Sequence, residues 1–229
     1  MSFSFKGPRR FFLLHVLWSL ALVWIVAFSA TAWDFDRLQK TEQQRYGSVA
    51  AKLVKDWETT LSSALNLPEP DKLKRINEFF NRRVRYDTDW AVWGQEDYWA
   101  TPLEFMGKGA GDCEDFVIAK YFSLRELGVA KEKLRLTYVR AKIGDPSSSI
   151  TQAHMVLTYY LTPDAEPLVL DSLISEIRPA SRRPDLTPVY SFNTDGVFAG
   201  SANRPAAPVE RLSRWKDVLN KMQAEGMEP

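Results

Sequence analysis

Apolar residues recur at helical spacing in the part of the chain that follows residue 32. This spacing predicts one or two helices over 33–66, and the breaker LPEP at 67–70 ends them. Asp71 is then predicted to cap a second helical segment. The residues predicted to share the first apolar face are Val49, Leu53, Trp57 and Leu61.

A later helix is apolar on most of its sides. The stretch CEDFVIAKYFSLREL, residues 113–127, is followed by Gly128, a residue suited to the left-handed turn after a helix. A helix with so little polar surface is predicted to be central and buried. Before it, 86–111 shows no regular period, so we predict a long ordered loop. Its tryptophans either form the wall of a groove or pack into the core.

β-Rich stretches follow the buried helix. They lie at 134–143, 154–161 and 167–173, with a polar loop at 144–149. The proline-rich segment 180–196 is predicted to cover the surface with little regular structure, and 208–224 to form a closing helix. In this closing helix the residues predicted to point inward are Leu212, Trp215 and Leu219. This order predicts an α+β fold in which the buried helix packs on an antiparallel sheet.

The first 32 residues differ from the rest. A basic start precedes an apolar run at 11–27, and Ala30–Ala32 offers a small-residue cleavage site. This layout predicts a signal peptide over 1–32, or an inner-membrane anchor formed by 11–27. Either way the bulk of the chain is predicted to be exported. We expect one domain over 33–200 and a C-terminal helix or tail over 201–229.

Composition and charge limit the classes of function that the chain can have. Hydrophobic residues make up 45% of the chain, enough to fill a core, and the net charge of +1 indicates no nucleic-acid partner. The chain has a single cysteine, so it has no internal disulfide. A free thiol in an exported protein is a hazard unless it is deeply buried or reactive.

The only cysteine lies where a nucleophile would be favoured. Cys113 begins the buried helix, and the N–H groups of a helix start stabilise a thiolate. Beyond residue 32 the only histidine is His154, at a strand start, and Asp171 lies in the next strand. A cysteine nucleophile needs a base, and the base needs a group that orients it. Each residue alone has an ordinary structural explanation, but together they predict a Cys-His-Asp triad.

The register of the predicted hairpin decides whether His154 and Asp171 can meet. A four-residue loop at 161–164 places His154 directly opposite Asp171. A six-residue loop at 162–167 leaves them four residues out of register, roughly 13 Å apart along the strand. The sequence leaves both open, and function requires the first or a bulge that mimics it.

The motifs GDCEDFVIAKYFSLRELG, QAHMVLTYY and LVLDSL resemble the bacterial transglutaminase-like cysteine proteinases, and within them the LapG type. The resemblance implies a papain-like, transglutaminase-type core with Cys113 as nucleophile, His154 as base and Asp171 as orienting acid. It also implies a periplasmic endopeptidase that cuts near the N-terminus of a large surface adhesin, which disperses biofilm. An inner-membrane receptor for cyclic di-GMP is the expected partner that sequesters such a protease.

Acidic residues flank the thiol. Asp112 and Glu114 should raise the pKa of Cys113 by like-charge repulsion, whereas a bound cation would reverse the local field. The family resemblance implies Ca²⁺ with Asp112 and Glu114 as ligands. Further ligands would come from an upstream set of Asp87, Asp89 and Asp97. The alternative is that Asp112 is a helix cap and that Glu114 and Asp115 only complement the helix dipole.

Several functions fit the same residues. The backbone N–H of Cys113 is predicted to stabilise an oxyanion, with Gln95 or the tryptophan-rich loop as a second donor. A transglutaminase or an amidase acting on envelope amides would use the same triad. A catalytically idle domain could instead bind a partner through an aromatic groove.

Overall fold

The computed structural model describes residues 1–2, 33–145, 148–200, 202 and 204–228. One structural unit runs from Trp33 to the C-terminus. The predicted signal peptide or anchor, including the apolar run 11–27, lies outside the described residues. Among the residues that are described, no helix is both long and apolar enough to cross a bilayer.

Helices dominate the N-terminal half, as predicted. In the described ranges they are α1 (Phe35–Tyr46), α2 (Ser48–Ala64), α3 (Glu69–Arg83), α4 (Asp89–Trp93), α5 (Pro102–Lys108), α6 (Cys113–Glu126) and α7 (Ser213–Glu225). The first two confirm the helical prediction for 33–66. They are separated at Gly47, whose φ of 89° is a conformation that glycine adopts without strain. The third begins at Glu69, so Asp71 lies in its first turn and the predicted capping role is wrong.

The predicted apolar face of α2 is only partly correct. Trp57 and Leu61 are buried, but Val49 is 82% exposed. Residues spaced by four drift around a helix by about 40° at each step, because the helix has 3.6 residues per turn. Val49 has therefore rotated out of the stripe that faces the core.

Helix α6 is the centre of the structure. All of its residues from Cys113 to Leu124 are buried. Its partners include α3 and β4, and the ring of Phe122 stacks on Trp215 of α7 at 5.4 Å between centroids. Ser123 accepts a hydrogen bond of 2.9 Å from the indole of Trp57. The prediction of a buried central helix is confirmed.

The strands form two sheets within the described ranges. They are β1 (Arg85–Tyr86), β2 (Ala110–Gly111), β3 (Leu134–Lys142), β4 (Thr151–Tyr159), β5 (Leu168–Leu170), β6 (Arg178–Pro179), β7 (Leu186–Asn193) and β8 (Gly196–Ala199). The first two pair in parallel, and the others form an antiparallel sheet in the order β6-β5-β4-β3-β7-β8. The predicted α+β fold, with the cysteine helix on an antiparallel sheet, is confirmed.

The segment 86–111 is not the loop that its lack of periodicity predicted. It contains two short helices and ends in β2. Thr88 caps α4, and Thr101 forms a reciprocal capping box with Glu104 at the start of α5. Helices of five and seven residues are too short to show a period, so their caps are the informative signal.

The proline-rich segment 180–196 also departs from the prediction. About half of it, Leu186–Asn193, forms β7, which pairs with β3 and with β8. Pro188 lies at an irregularity, where the register of β7 shifts beside Val139. A proline has no N–H to donate and is tolerated in a strand at such a bulge. Its presence therefore did not exclude a strand that pairs on both sides.

A buried carboxylate makes stability pH-dependent. Glu42 is buried, and within the described part of the chain its side-chain oxygens have no hydrogen-bond partner. Burial, helped by Glu225 and Glu104 and opposed by Arg45, raises the pKa of Glu42 to about 7. The folded protein holds this proton up to about pH 7, whereas the unfolded chain releases it near pH 4.5. The group therefore lowers the free energy of unfolding as the pH rises through this window.

We expect Glu42→Gln to raise the free energy of unfolding at pH 8 by about 2 kcal/mol and to change it little at pH 5, because a neutral amide removes the buried charge. Urea denaturation at both pH values measures this. Glu58→Gln, which alters an exposed ion pair with Lys55, is the matched control. An equal gain at pH 5 and pH 8 would contradict the titration of Glu42.

Candidate active site

A cavity of about 470 Å³ opens at the N-terminal end of α6. Cys113 and His154 both line it, together with Tyr86, Trp90 and Tyr138. Trp90 is 69% exposed and stands on α4 at its rim. The cavity thus brings the single thiol and the predicted base to one solvent-accessible space, walled by aromatic side chains.

The thiol is held in its neutral form in this structure. Cys113 is 8% exposed, and its Sγ donates a hydrogen bond of 2.8 Å to Oε2 of Glu114. Burial, followed by the charges of Glu114 and Asp112, raises the pKa of Cys113 above its usual value, while the backbone N–H of Met155 opposes the shift. The helix start alone does not outweigh the neighbouring carboxylates.

The imidazole has one engaged and one free nitrogen. His154 lies in β4, and its Nε2 is 2.9 Å from Oδ1 of Asp171, with both side chains buried. Nδ1 is buried and has no hydrogen-bond partner among the described residues. With the proton on Nε2, the lone pair of Nδ1 is available to accept another proton. This arrangement is what a general base requires.

The strand register that brings His154 and Asp171 together is neither of the two anticipated. Leu157 pairs with Leu170 and Tyr159 with Leu168. Continued by one step, this register puts Asp171 level with Val156, two residues from His154 on the same face of the sheet. Because β5 ends at Leu170, Asp171 is outside the ladder, and its carboxylate reaches the imidazole diagonally.

Asp171 is fully buried, and each of its three oxygens accepts a hydrogen bond. Oδ1 also accepts the backbone N–H of Leu173 at 3.0 Å, and Oδ2 accepts Nη2 of Arg183 at 2.8 Å. Its carbonyl oxygen accepts Asn81 Nδ2 at 2.8 Å and Lys120 Nζ at 3.1 Å. Burial disfavours ionisation of Asp171, but the contacts of its carboxylate with His154, Leu173 and Arg183 hold its pKa below the usual range. Asp171 is therefore a carboxylate anion at neutral pH.

The same end of α6 carries a second, differently constructed acidic cluster. Carboxylate oxygens of Asp89, Asp112 and Asp115 lie within 4.8 Å of one another, and Asp112, Cys113 and Glu114 form an overlapping group. Each of the three aspartates has a buried oxygen without a hydrogen-bond partner in the described chain. Asp112 occupies the cap position of α6, yet its side chain makes no capping hydrogen bond.

Protonation is the response of such a cluster in the absence of a cation. Burial, then the charges of Glu114 and Asp115, raises the pKa of Asp112 to about 9. Burial raises the pKa of Asp89 to about 6 and that of Asp115 well above its usual value. Several carboxylate oxygens that lack donors suit a hard divalent cation such as Ca²⁺. The residues present therefore fit a metal, and the capping alternative for Asp112 does not account for them.

Only one of the three upstream aspartates predicted as possible calcium ligands lies in the acidic cluster. Asp89 belongs to the cluster, whereas Asp87 pairs with Arg85 and Asp97 pairs with Arg214. Asp115 is not among the predicted calcium ligands, yet it belongs to the cluster. It lies three residues after Asp112, on the same side of α6, and this spacing was the available signal.

The positions of Gln95 and of the tryptophans decide between the roles predicted for them. Gln95 lines a different, smaller cavity, so the structure does not support it as a donor beside Cys113. Trp99 is buried and stacks on Phe192 at 5.8 Å. Trp90 faces the active-site cavity. Both alternatives for the tryptophans are thus realised, one residue in the core and another in the wall.

Comparison with known proteins identifies the family. A sequence profile described as bacterial transglutaminase-like cysteine proteinase matches residues 51–185, more than half of the chain. The chain therefore belongs to the bacterial transglutaminase-like cysteine proteinases.

Solved structures of Legionella pneumophila LapG are similar to it. One is 39% identical over 82% of this chain and 97% of that chain, with a TM-score of 0.70. The calcium-bound form is 40% identical over 82% and 98%, with a TM-score of 0.69, and an EGTA-treated form has a TM-score of 0.72 at 39% identity over 82% and 97%. A comparison with curated proteins gives no match.

Replacing Asp171 should expose the dependence of the fold on its charge. We expect Asp171→Asn to lower the free energy of unfolding at pH 7 by about 3 kcal/mol, because the buried Arg183 loses an anionic partner. Since the pKa of Asp171 lies below its usual range, this advantage of the wild type is present above about pH 4 and is lost as the pH falls. Denaturant unfolding between pH 3 and pH 7 measures it.

The control for this change is Asp185→Asn. Asp185 also pairs with Arg183 but is partly exposed, so its loss should cost well under half as much. Equal costs for the two substitutions, or no dependence on pH, would contradict the account of Asp171.

Proposed function

We propose that the protein is a calcium-dependent cysteine endopeptidase in which Cys113, His154 and Asp171 act as a triad. The single observation that carries this proposal is the buried Nε2–Asp171 contact of His154, which leaves Nδ1 without a hydrogen-bond partner in the described chain, in a residue that lines the same cavity as the only thiol. Membership of the cysteine proteinase family supports it.

The proposed reaction is a two-step acyl transfer. His154 Nδ1 takes the proton of the Cys113 thiol, and the sulfur attacks the carbonyl carbon of the scissile peptide. The backbone N–H of Cys113 stabilises the resulting oxyanion. The C–N bond then breaks as His154 returns the proton to the leaving amine. A water molecule, deprotonated by His154, hydrolyses the thioester, which releases the acid and restores the thiol.

Asp171 takes part in this reaction without gaining or losing a proton. It accepts the Nε2 proton of His154 throughout, which fixes the tautomer and stabilises the imidazolium when it forms. Because its pKa lies below the usual range, Asp171 is ionised and able to accept this hydrogen bond at neutral pH.

The calcium site is proposed at the start of α6. Asp112 and Glu114, with Asp89 and Asp115, would hold the ion, since they belong to two close groups that share Asp112 and several of their oxygens lack donors in the described chain. A bound Ca²⁺ supplies positive charge that offsets the carboxylates beside the thiol. The calcium-bound LapG structure supports this assignment.

The likeness to LapG-type proteases supports a proposal for the substrate, the location and the regulation of the protein. We propose that the protein acts in the periplasm on the N-terminal region of a large surface adhesin, which releases the adhesin and disperses biofilm. We further propose that an inner-membrane cyclic di-GMP receptor sequesters it. The export layout of residues 1–32 supports the location.

The function is tested by incubating the purified full chain with the N-terminal region of a large adhesin, with Ca²⁺ or with EGTA. We expect one discrete cut with Ca²⁺ and none with Cys113→Ala, because the variant lacks the nucleophile. Mass spectrometry of the fragments locates the cut. A labelled amine is included, since its transfer instead of hydrolysis would indicate a transglutaminase.

The buried, neutral thiol favours one alternative, a catalytically idle partner-binding domain. Persistent cleavage by Cys113→Ala would refute the nucleophile. No cleavage with Ca²⁺, together with resistance of Cys113 to iodoacetamide at neutral pH, would support the idle domain.

Calcium binding has a readout that is independent of activity. We expect saturating Ca²⁺ to raise the midpoint of thermal unfolding by about 5 °C or more, because the ion binds the folded site and not the unfolded chain. Asp112→Asn and Asp115→Asn should abolish most of this shift. Because the pKa of Asp112 is about 9 without the ion, binding releases protons and should weaken at pH 5.5.

Asp87→Asn is the matched control for the calcium site. Asp87 lies in the same region but pairs with Arg85, so this variant should retain the full thermal shift. Loss of the shift in Asp87→Asn, or its survival in Asp112→Asn, would place the ion elsewhere.

A further inference from the structure

A buried arginine holds the oxygen of Asp171 that His154 does not use. Arg183 is 4% exposed, and its Nη2 donates to Oδ2 of Asp171 at 2.8 Å. His154 meets the other oxygen, Oδ1, at 2.9 Å. The carboxylate is therefore gripped from two sides by groups that approach different oxygens.

Arg183 is itself fixed in place. Asp185 accepts its Nε at 3.0 Å and its Nη2 at 2.7 Å. The backbone N–H of Arg183 donates to Ala180, and its carbonyl accepts the N–H of Leu186, so the segment before β7 is held by its own turns. The guanidinium is a planar donor, and these contacts leave it little freedom to rotate.

We propose that Arg183 is a positioning residue for the reaction: it orients the carboxylate of Asp171 so that Oδ1 receives the Nε2 proton of His154. This inference rests on the proposed function of the triad. A carboxylate can rotate about its Cβ–Cγ bond, and both of its oxygens attract the imidazole. Binding of Oδ2 by a rigid cation removes that rotation and fixes the plane in which Nε2–H must lie.

The other charged groups around Asp171 do not fix the orientation of its carboxylate. Lys120 Nζ, on α6, contacts the carbonyl oxygen of Asp171 and not its carboxylate. The side chain of Asp185 contacts Arg183 and does not contact the carboxylate of Asp171. Of the side chains that the structure describes, His154 and Arg183 lie within hydrogen-bond distance of the carboxylate, and Arg183 is the one that carries a permanent charge.

The closing experiment compares three variants of the full chain. Arg183→Met removes the charge and the donors at similar length, Arg183→Lys restores a charge without the planar fork, and Arg178→Met is the control. Arg178 lies in the same segment, but it pairs with Glu176 at the surface. Circular dichroism and thermal unfolding first establish that each variant folds.

The first readout does not depend on proteolysis. The hydrogen-bonded Nε2 proton of His154 should give a downfield proton resonance, identified by its absence in His154→Gln. We expect Arg183→Met to shift or broaden this resonance, because the carboxylate is no longer fixed, and Arg183→Lys to restore it in part. Arg178→Met should leave it unchanged.

The second readout is cleavage of the adhesin region. We expect Arg183→Met to lower kcat by about 10- to 100-fold with little change in KM, as for other partners that act through an oriented side chain. Arg183→Lys should be intermediate. A folded Arg183→Met with the wild-type resonance and kcat would overturn the proposal.

Two further outcomes are distinct. If the wild type cleaves nothing but the resonance responds to Arg183, the positioning role stands and the proposed protease function fails. If Arg183→Met does not fold, Arg183→Lys decides: a wild-type resonance and kcat after loss of the fork overturns the proposal, and a reduction in both supports it.

Discussion

The hydrogen bond between His154 and Asp171 is the constraint on which the site depends, because it requires a fully buried anion. Removing a carboxylate from water costs several kcal/mol unless its oxygens are satisfied. Here the donors to the carboxylate come from separate parts of the chain: His154 on β4, the backbone N–H of Leu173, and Arg183 before β7. The anion is stable only when these elements are assembled together. The position of the proposed base is therefore coupled to the integrity of the core.

The two acidic centres of the protein are opposite in their construction. Asp171 has a donor for each of its oxygens, so its charge is satisfied within the chain. The group of Asp89, Asp112 and Asp115 has more oxygens than donors, and several of these are unpartnered in the described chain. The first centre is complete as it stands. The second has the composition of a cation site, and its charge acts directly on the neighbouring thiol.

The sequence predicted what local composition determines. The apolar residues on most sides of α6 were sufficient to locate that helix. The rarity of cysteine and histidine was sufficient to select the candidate triad. The register of β4 and β5 could not be predicted, because it depends on how the hairpin turns and on where β5 ends. β7 was missed for a related reason: its pairing with β3 is set by tertiary contacts that outweigh the prolines in its sequence. Arg183 gave no sequence signal, since its role is defined only by a contact with a residue twelve positions away.

Helix α6 links the two centres mechanically. Cys113 begins the helix beside the acidic cluster, and Lys120 lies seven residues later and donates to the carbonyl of Asp171. A helix rises about 1.5 Å per residue, so the backbones of Cys113 and Lys120 are separated by roughly 10 Å along the helix axis. Because α6 is buried along this length, it cannot bend to absorb a shift at either end. A change in charge at the acidic cluster therefore acts on the thiol locally, while the spacing between the thiol and the His154–Asp171 pair is held by the core.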